Sequence, residues 1–446
     1  MSALAGTLKA GRVPQRSGGA WNVFRVERRK LSSQLAVRLL ALVCILGPFV
    51  FAGILKLQSG SPTDTLYGVW VHSSGFALSL VFLAFAGSWG LPIAAGIIAG
   101  DMFSAEDRYG TWKLVLTRSC TRRDFFLGKL LAAAVFVIAI LALAAGASVV
   151  AGVVLIGPHS LVSLNGTLFS SGHALLLVLA SWALCIVPSL AFASLGVLFS
   201  VATRNGIMGV IGPPLCALAM QLLLIVGSGV WMHMLLVGSA FNTWHALFNV
   251  HPFYGPLLIG LGVSALWIVV SLAVAWRLLR GRDFAGTPVS GKPGWVVPVR
   301  AAVVLAAVIA FVAIAGNWGP VGVTAHRLKA SLIPAFSRLT VLQQRELGRS
   351  VPSGAKLNIV LPSCNRRGSK PSGPGDWVCT INVLIPTQGS LPSQPTPVAY
   401  DVSVQSDGCY KAQSPPAFIG QQTMRDSNGH SVVNPLYTIY GCFNTL

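Results

Sequence analysis

Apolar residues along this chain gather into long uninterrupted runs. Seven stretches, approximately Leu39–Ile54, Gly75–Gly100, Leu130–Gly157, Ala174–Val201, Gly206–Met234, Pro252–Trp276 and Ala301–Asn317, hold no Asp, Glu, Lys or Arg. A helix needs roughly 18 or more apolar residues to cross the hydrocarbon core of a bilayer, and most of the runs exceed that. They predict seven transmembrane helices. The first is short, but Arg38 and Lys56 extend it by carrying their charged heads to the two interfaces. Pro92, Pro188 and the Pro213–Pro214 pair fall inside three of the runs and predict kinks, because each proline removes a backbone donor.

Composition excludes a single soluble globule: 54% of the residues are hydrophobic and 10% charged, against about 25% charged in an ordinary soluble protein. The net charge of +20 fits nucleic acid, anionic lipid or membrane topology equally well until the basic residues are placed. Eight lie in residues 1–38, six in 101–129, one in 201–206 and five in 277–300, while the short alternate connections hold only Lys56. By the positive-inside rule the first set is cytoplasmic, which puts the N-terminus inside and the tail after the seventh run outside. No nucleic-acid partner is expected. The first run begins only after almost forty residues and has no convincing cleavage site, so it reads as a retained span and not a signal peptide.

The tail divides in two. Ala325 to about Ser350 has helical periodicity and good helix formers. Beyond it, Trp377–Ile385 and Val398–Val404 alternate as half-buried strands do, across a connection rich in Pro, Gly and Ser. Cys44, Cys185 and Cys216 lie in apolar runs and Cys120 in a cytoplasmic loop, where free thiols are expected. Cys364, Cys379, Cys409 and Cys442 all fall in the exported tail and predict two disulfides in a small β-rich domain. Of the three pairings, Cys364 with Cys379 and Cys409 with Cys442 is favoured, since it closes one loop around Trp377 and ties back the chain end. A zinc site is disfavoured by the lack of a C-x-x-C pair or nearby His cluster. His430 stands alone in sequence and reads as a solvent-exposed residue. His72, His159, His173, His233, His245 and His251 sit at or beyond outer span ends and read as interfacial histidines, and Trp70, Trp231, Trp244 and Trp318 as an aromatic belt. No metal site and no catalytic residue is assigned.

The connection between the second and third runs carries the most specific pattern, Ala105 to Lys129. Here the sequence resembles the permease subunits of ABC-type-2 transporters. In that family an acidic residue, a Gly-Thr pair, a Leu-rich turn, a Ser/Thr-Arg pair and a Gly-Lys before the third span recur at this spacing. Glu106, Gly110–Thr111, Leu114, Leu116, Thr121–Arg122 and Gly128–Lys129 occupy the matching positions; Ser119 departs from the proline often found there. The resemblance covers roughly Trp21 to Arg280 in helix number and spacing, with its motif content confined to this loop. It implies a short coupling helix that docks into an ATPase subunit, with Glu106, Tyr109, Gly110, Thr111, Trp112, Leu116, Arg118, Arg122, Arg123 and Lys129 as the coupling residues. Tyr109, Trp112 and Val115–Leu116 supply apolar anchors suited to lipid headgroups and a protein partner. Before the first run, Trp21, Phe24, Arg28, Leu31 and Leu35 recur at helical spacing, with Glu27, Arg29 and Lys30 on other faces. Asn22–Ser33 is therefore expected to lie in the interface as an amphipathic helix, like the elbow helix of that family.

No G-x-x-x-x-G-K-[ST] phosphate loop occurs in the chain, so the hydrolysis of ATP falls to a separate polypeptide, which would hold the ATP and Mg; no cofactor is assigned to this one. The spans from Leu130 to Thr203 and from Asn205 to Trp276 hold no ionisable Asp, Glu, Lys or Arg, which disfavours an ion-coupled carrier. The expected fold class is an all-α polytopic membrane protein, a six-helix ABC permease core plus a seventh span, with a small disulfide-containing β-rich extracytoplasmic C-terminal domain. Its parts are 1–38, a cytoplasmic N-terminus with the elbow helix; 39–280, the core, with the coupling loop 101–129; 281–300, a linker; 301–317, the seventh span; 318–350, a juxtamembrane helical segment; and 351–446, the β-rich domain. Expected partners are an ABC ATPase subunit, a second permease copy or paralogue, and membrane lipids. The expected function is ATP-driven export of an amphipathic or lipid-like substrate across the cytoplasmic membrane. The rival is a membrane-anchored extracytoplasmic ligand-binding or sensory protein, although seven spans exceed what anchoring requires.

Overall fold

The computed structural model describes residues 19–58, 62, 65–112, 121–225, 230–282, 322–349, 351, 358–384 and 395–445. The seventh span expected at 301–317 lies outside them, as do Leu116, Arg118, Cys120 and most of the 281–300 linker.

Six helical paths are long and apolar enough to span a membrane, and the chain is a multi-pass membrane protein. Helix α1 (Gly19–Ser33) leads into α2 (Leu35–Leu57), the first span. The second runs through α3 (Gly75–Phe85), a π-helical turn Ala86–Gly90, α4 (Leu91–Ala99) and α5 (Ser104–Tyr109). The third is α6 (Arg122–Leu155), and the fourth is α7 (Ser171–Leu184) with α8 (Ile186–Thr203). The fifth lies in α9 (Gly206–Ile225) and the sixth is α10 (Gly255–Arg280).

The prolines act where their geometry dictates. A proline ring displaces the carbonyl four residues earlier. For Pro188 that residue is Leu184, where α7 ends; for Pro92 it is Ser88, inside the π-helical turn. Pro213–Pro214 lies inside α9, which runs on as one element. The carbonyls this pair leaves without helical donors, Gly209 and Val210, lie against Gly100 and Gly96 of the second path. A Cβ on Gly96 would stand 2.3 Å from the Val210 oxygen, and one on Gly100 equally close to Gly209. Small residues thus bring the two backbones together and shelter the unpaired oxygens.

The C-terminal region is a five-stranded antiparallel meander of β1 (Asn358–Arg366), β2 (Gly375–Leu384), β3 (Pro395–Val404), β4 (Cys409–Gln413) and β5 (Thr438–Cys442), paired in that order. Trp377, Cys379, Ile381 and Val383 on β2, and Val398, Tyr400, Val402 and Val404 on β3, are buried at every second position, the period of a sheet with one covered face. The cover is helix α11 (Ala325–Glu346), whose Leu328, Leu332, Ala335, Phe336 and Leu339 form an apolar stripe; Phe336 meets Tyr400 edge-on. Cys364 is bonded to Cys379 across β1 and β2, and Cys409 to Cys442 across β4 and β5.

This domain docks on one end of the helical bundle. Ser406 Oγ lies 2.7 Å from His233 Nδ1, Arg338 Nε donates to the Asn165 carbonyl at 2.7 Å, and Cys409, Tyr440 and Cys442 share the apolar core of the bundle. The opposite end carries α1 and the segment between the second and third spans.

Candidate functional site

At the α1 end of the bundle, the chain leaves α4 through Asp101–Phe103, forms the single turn and a half of α5, and stops at Gly110. Two backbone bonds close that stop, Gly110 N–H to the Asp107 carbonyl and Thr111 N–H to the Glu106 carbonyl. Gly110 adopts φ +64°, a left-handed cap that glycine reaches without the penalty other residues meet. The next described helix, α6, starts at a Thr121 cap whose Oγ1 accepts from the Asp124 N–H.

Four charged side chains interlock between these elements. Lys129, about two turns into α6, is 0% exposed, and its Nζ donates to Glu27 Oε1 of α1 at 2.7 Å, to the Met102 carbonyl at 2.8 Å and to Glu106 Oε1 of α5 at 3.0 Å. Lys30 of α1 reaches the same Glu106 oxygen at 2.9 Å, and the Thr111 hydroxyl donates to Glu106 Oε2. The Phe125 and Phe103 rings lie 4.8 and 5.6 Å from the Lys129 nitrogen and close the pocket around the charge. Burial pulls the Lys30 ammonium down, but the charges of Glu27 and Glu106 outweigh it and hold it above its ordinary value. Two carboxylates and two ammonium groups balance, which is the condition under which buried charge is tolerated.

A second set ties the same segment to the far spans. Arg282, just past α10, donates to both oxygens of Asp107, at 2.9 Å to Oδ2 and 3.2 Å to Oδ1, and to the Val201 carbonyl at the end of α8. Arg122 donates to the Arg280 and Arg282 carbonyls at 2.8 and 3.1 Å. Ser200 Oγ of α8 accepts from the Phe103 and Ser104 amides, and Arg108 pairs with Asp101 at 2.8 Å. Residues 101–112 are thus bolted to α1, α6, α8 and α10 at once.

The structure sorts the sequence-predicted residues into two groups. Glu106, Thr111 and Lys129 are internal parts of the clamp. Trp112 is not an outward anchor: it is 6% exposed, packs on Phe125 at 5.2 Å and donates its indole N–H to Asp107. Tyr109, by contrast, is 70% exposed, with Arg108 over its ring, and Arg123, at the start of α6, is exposed as well. In α1, Phe24 and Leu31 face the protein and pack on α6, while Trp21 and Arg28 are exposed. Glu27, expected on another face, lies on the same buried stripe as Phe24 and Leu31, because offsets of three and four residues return to one side of a helix. Sequence reasoning therefore missed Glu27, Lys30, Asp107 and Arg282 as parts of this site. For Glu27 the signal was present: a carboxylate inside an apolar stripe requires a buried cation.

At the other end, His233 and His245 face the β4 side of the docked domain. His245 Nδ1 lies 3.7 Å from Cys409 Sγ, and His245, Cys409 and Cys442 place one potential ligand atom each within 4.8 Å. Both sulfurs belong to the disulfide, so His245 is the one available donor of the three. His430 is not alone: its Nδ1 lies 3.3 Å from Asp426 Oδ2 on an exposed hairpin.

Residues 23–212 match the family model described as ABC-2 family transporter protein. The matched stretch opens in α1, includes the whole clamp except Arg282, and ends inside α9. No curated protein matches the chain.

Proposed function

We propose, starting from a membrane domain that belongs to the ABC-2 family of transporter proteins, that this chain is the permease half of an ATP-driven exporter whose ATPase is a separate subunit. The observation that carries the coupling role is the clamp. A force applied to a flexible loop is dissipated there, whereas residues 101–112 hold α1 and three spans by buried charge, so a push on that segment moves the helices as a group. Tyr109 and Arg123, exposed on the same connection, are the contacts offered to the ATPase, and the Glu27–Lys129–Glu106 cluster transmits the displacement inward. Leu116 and Arg118 are assigned to the same contact from the sequence.

In this reading the α1 end is cytoplasmic, in keeping with its basic connections, and the β-rich domain is extracytoplasmic, in keeping with its disulfides. ATP and Mg are bound by the partner, and no catalytic group is assigned to this chain. Two permease halves flank one path, so the chain pairs with a second copy or a paralogue. The charge-free spans suit an amphipathic or lipid-like substrate, which meets no ionised group between Leu130 and Thr203. The rival reading, a membrane-anchored binding or sensory protein, gives no reason for a buried clamp between an interfacial helix and the bundle. The test is ATP hydrolysis by the co-purified assembly. Tyr109→Ala and Glu106→Gln are expected to lower substrate-stimulated hydrolysis or transport while membrane insertion stays intact, and transport unaffected by both changes would end the coupling role.

A further inference from the structure

At the junction of the bundle and the β-rich domain a cleft of about 660 Å³ opens, within the range of about 300–1,000 Å³ typical of small-molecule sites. Its walls come from three parts of the chain: Asn165 and Asn249–Phe253 from two connections at that end of the bundle, the face of α11 from His326 to Arg338, and Cys442–Asn444 near the chain end. The lining carries two arginines and two histidines, Arg327, Arg338, His251 and His326. Among the described residues no Asp or Glu lines it. Val250, Phe253 and Pro334 complete an apolar margin.

The polar groups in this wall are incompletely used by the protein itself. Arg338 makes one hydrogen bond among the described residues, from Nε to the Asn165 carbonyl, which fixes the plane of the guanidinium and leaves both Nη atoms without a partner. Arg327, in contrast, is held by the Gly322 and Asn444 carbonyls. Asn249 is 4% exposed, yet neither its Oδ1 nor its Nδ2 has a hydrogen-bond partner, and Asn165 Oδ1 is buried and unpartnered in the same lining. Buried amides are almost always satisfied, so unpaired ones beside a basic cleft mark a place where a ligand completes the bonding.

We propose that this cleft binds a phosphate-bearing anion. Arg338 makes the bidentate contact to the phosphate oxygens, and Arg327 and the two histidines supply the positive field. Two sources offer that chemistry: the headgroup of an anionic phospholipid, for which the apolar margin is the natural entrance, and a free phosphate compound. The site stands independently of the transport reading, since it uses no residue of the clamp.

The test uses the full chain purified in mild detergent. Native mass spectrometry counts bound phosphatidylglycerol against phosphatidylcholine at equal concentration, and calorimetry titrates inorganic phosphate. Saturable retention of phosphatidylglycerol over phosphatidylcholine assigns the lipid source, and saturable phosphate binding that displaces it assigns the free one. In either arm Arg338→Gln lowers affinity about tenfold, the loss of one charge-assisted contact, and Arg338→Lys restores part of it. His326→Ala, on an exposed position, lowers affinity a few-fold with the fold undisturbed. No headgroup preference together with no saturable phosphate binding by the wild-type chain overturns the proposal, as does unchanged affinity in both Arg338→Gln and His326→Ala. ATPase co-purification is expected to be the same in all these variants, so the two readings fail separately.

Discussion

Replacing Lys129 with methionine keeps the length of the side chain and removes its charge from a site with no exposure to solvent. Glu27 then loses its only hydrogen-bond partner among the described residues, with Lys30 acting on it through charge alone, while Glu106 keeps Lys30 and Thr111. Removing one partner from a buried ion pair typically costs about 3–5 kcal/mol. Here that energy holds α1 against α6, so the expected effect is local: detachment of residues 19–33 becomes easier by roughly a hundredfold or more. Hydrogen–deuterium exchange on the full chain in lipid nanodiscs reads this directly, as faster exchange of the α1 amides with the α8 and α10 amides unchanged. The second half of the cycle is the sharper one. Glu27→Met combined with Lys129→Met removes both charges of the pair and should recover most of the protection, to within about tenfold of wild type, because an apolar pair of similar volume is close to neutral in stability. Unchanged α1 exchange in Lys129→Met, or a double variant no better protected than the single, refutes the clamp as an energetic unit.

Other outcomes follow from the same geometry. Gly128 of α6 meets α1 so closely that a Cβ there would stand 2.6 Å from the Ala20 carbonyl oxygen; Gly128→Ala should lift α1 at a cost of about 1–3 kcal/mol, read by the same exchange experiment. Gly110→Ala forces a residue with a Cβ into the left-handed region at φ +64° and should weaken the α5 cap by about 1–2 kcal/mol, seen as faster exchange over residues 104–112. Burial pushes the His245 imidazole down to about 4, with the Asp407 charge pulling the other way. Since the ordinary value is higher, the undocked state binds the proton first: the docked arrangement is fully stable above about pH 6.5, and this group's contribution drains away as pH falls from there to about 4. At pH 5 the loss is about 2 kcal/mol, measured as faster exchange at residues 406–409 relative to intrinsic rates, and His245→Gln should flatten that dependence. Cys409→Ser with Cys442→Ser opens a loop of 33 residues and should lower the stability of the β-rich domain by about 2–4 kcal/mol, followed as a drop in the melting temperature of its aromatic circular dichroism.

Six of the seven expected spans are found among the described residues and were legible because each is an unbroken apolar run, and the β-rich region because Trp377 to Val383 and Val398 to Val404 alternate. Pro92 and Pro188 marked the π-helical turn and the α7–α8 junction. Pro213–Pro214 stays inside one helix, where what becomes of a freed carbonyl depends on the neighbour across the interface, here Gly96 and Gly100. The clamp was half legible. Glu106 and Lys129 stood out in the loop, but Trp112 looked like an anchor for a partner when its ring fills the space beside Phe125. Aromatic character alone does not say which side of a short segment faces inward. Asp107 and Arg282 were hidden for a different reason: 175 residues separate them, and nothing in the pattern of either segment points to the other.

The central claim is that residues 101–129 join this membrane domain to a separate ATPase, and recovery of that ATPase tests it most directly. The full chain, extracted from its native membrane in mild detergent and captured through a C-terminal tag, should bring down a polypeptide with a phosphate-loop motif in near-stoichiometric amount. Tyr109→Ala should lower that recovery about tenfold, the effect of losing a central aromatic contact, with the melting temperature of the chain unchanged. Absence of such a polypeptide from the wild-type complex, or undiminished recovery with both Tyr109→Ala and Arg123→Ala, would contradict the account.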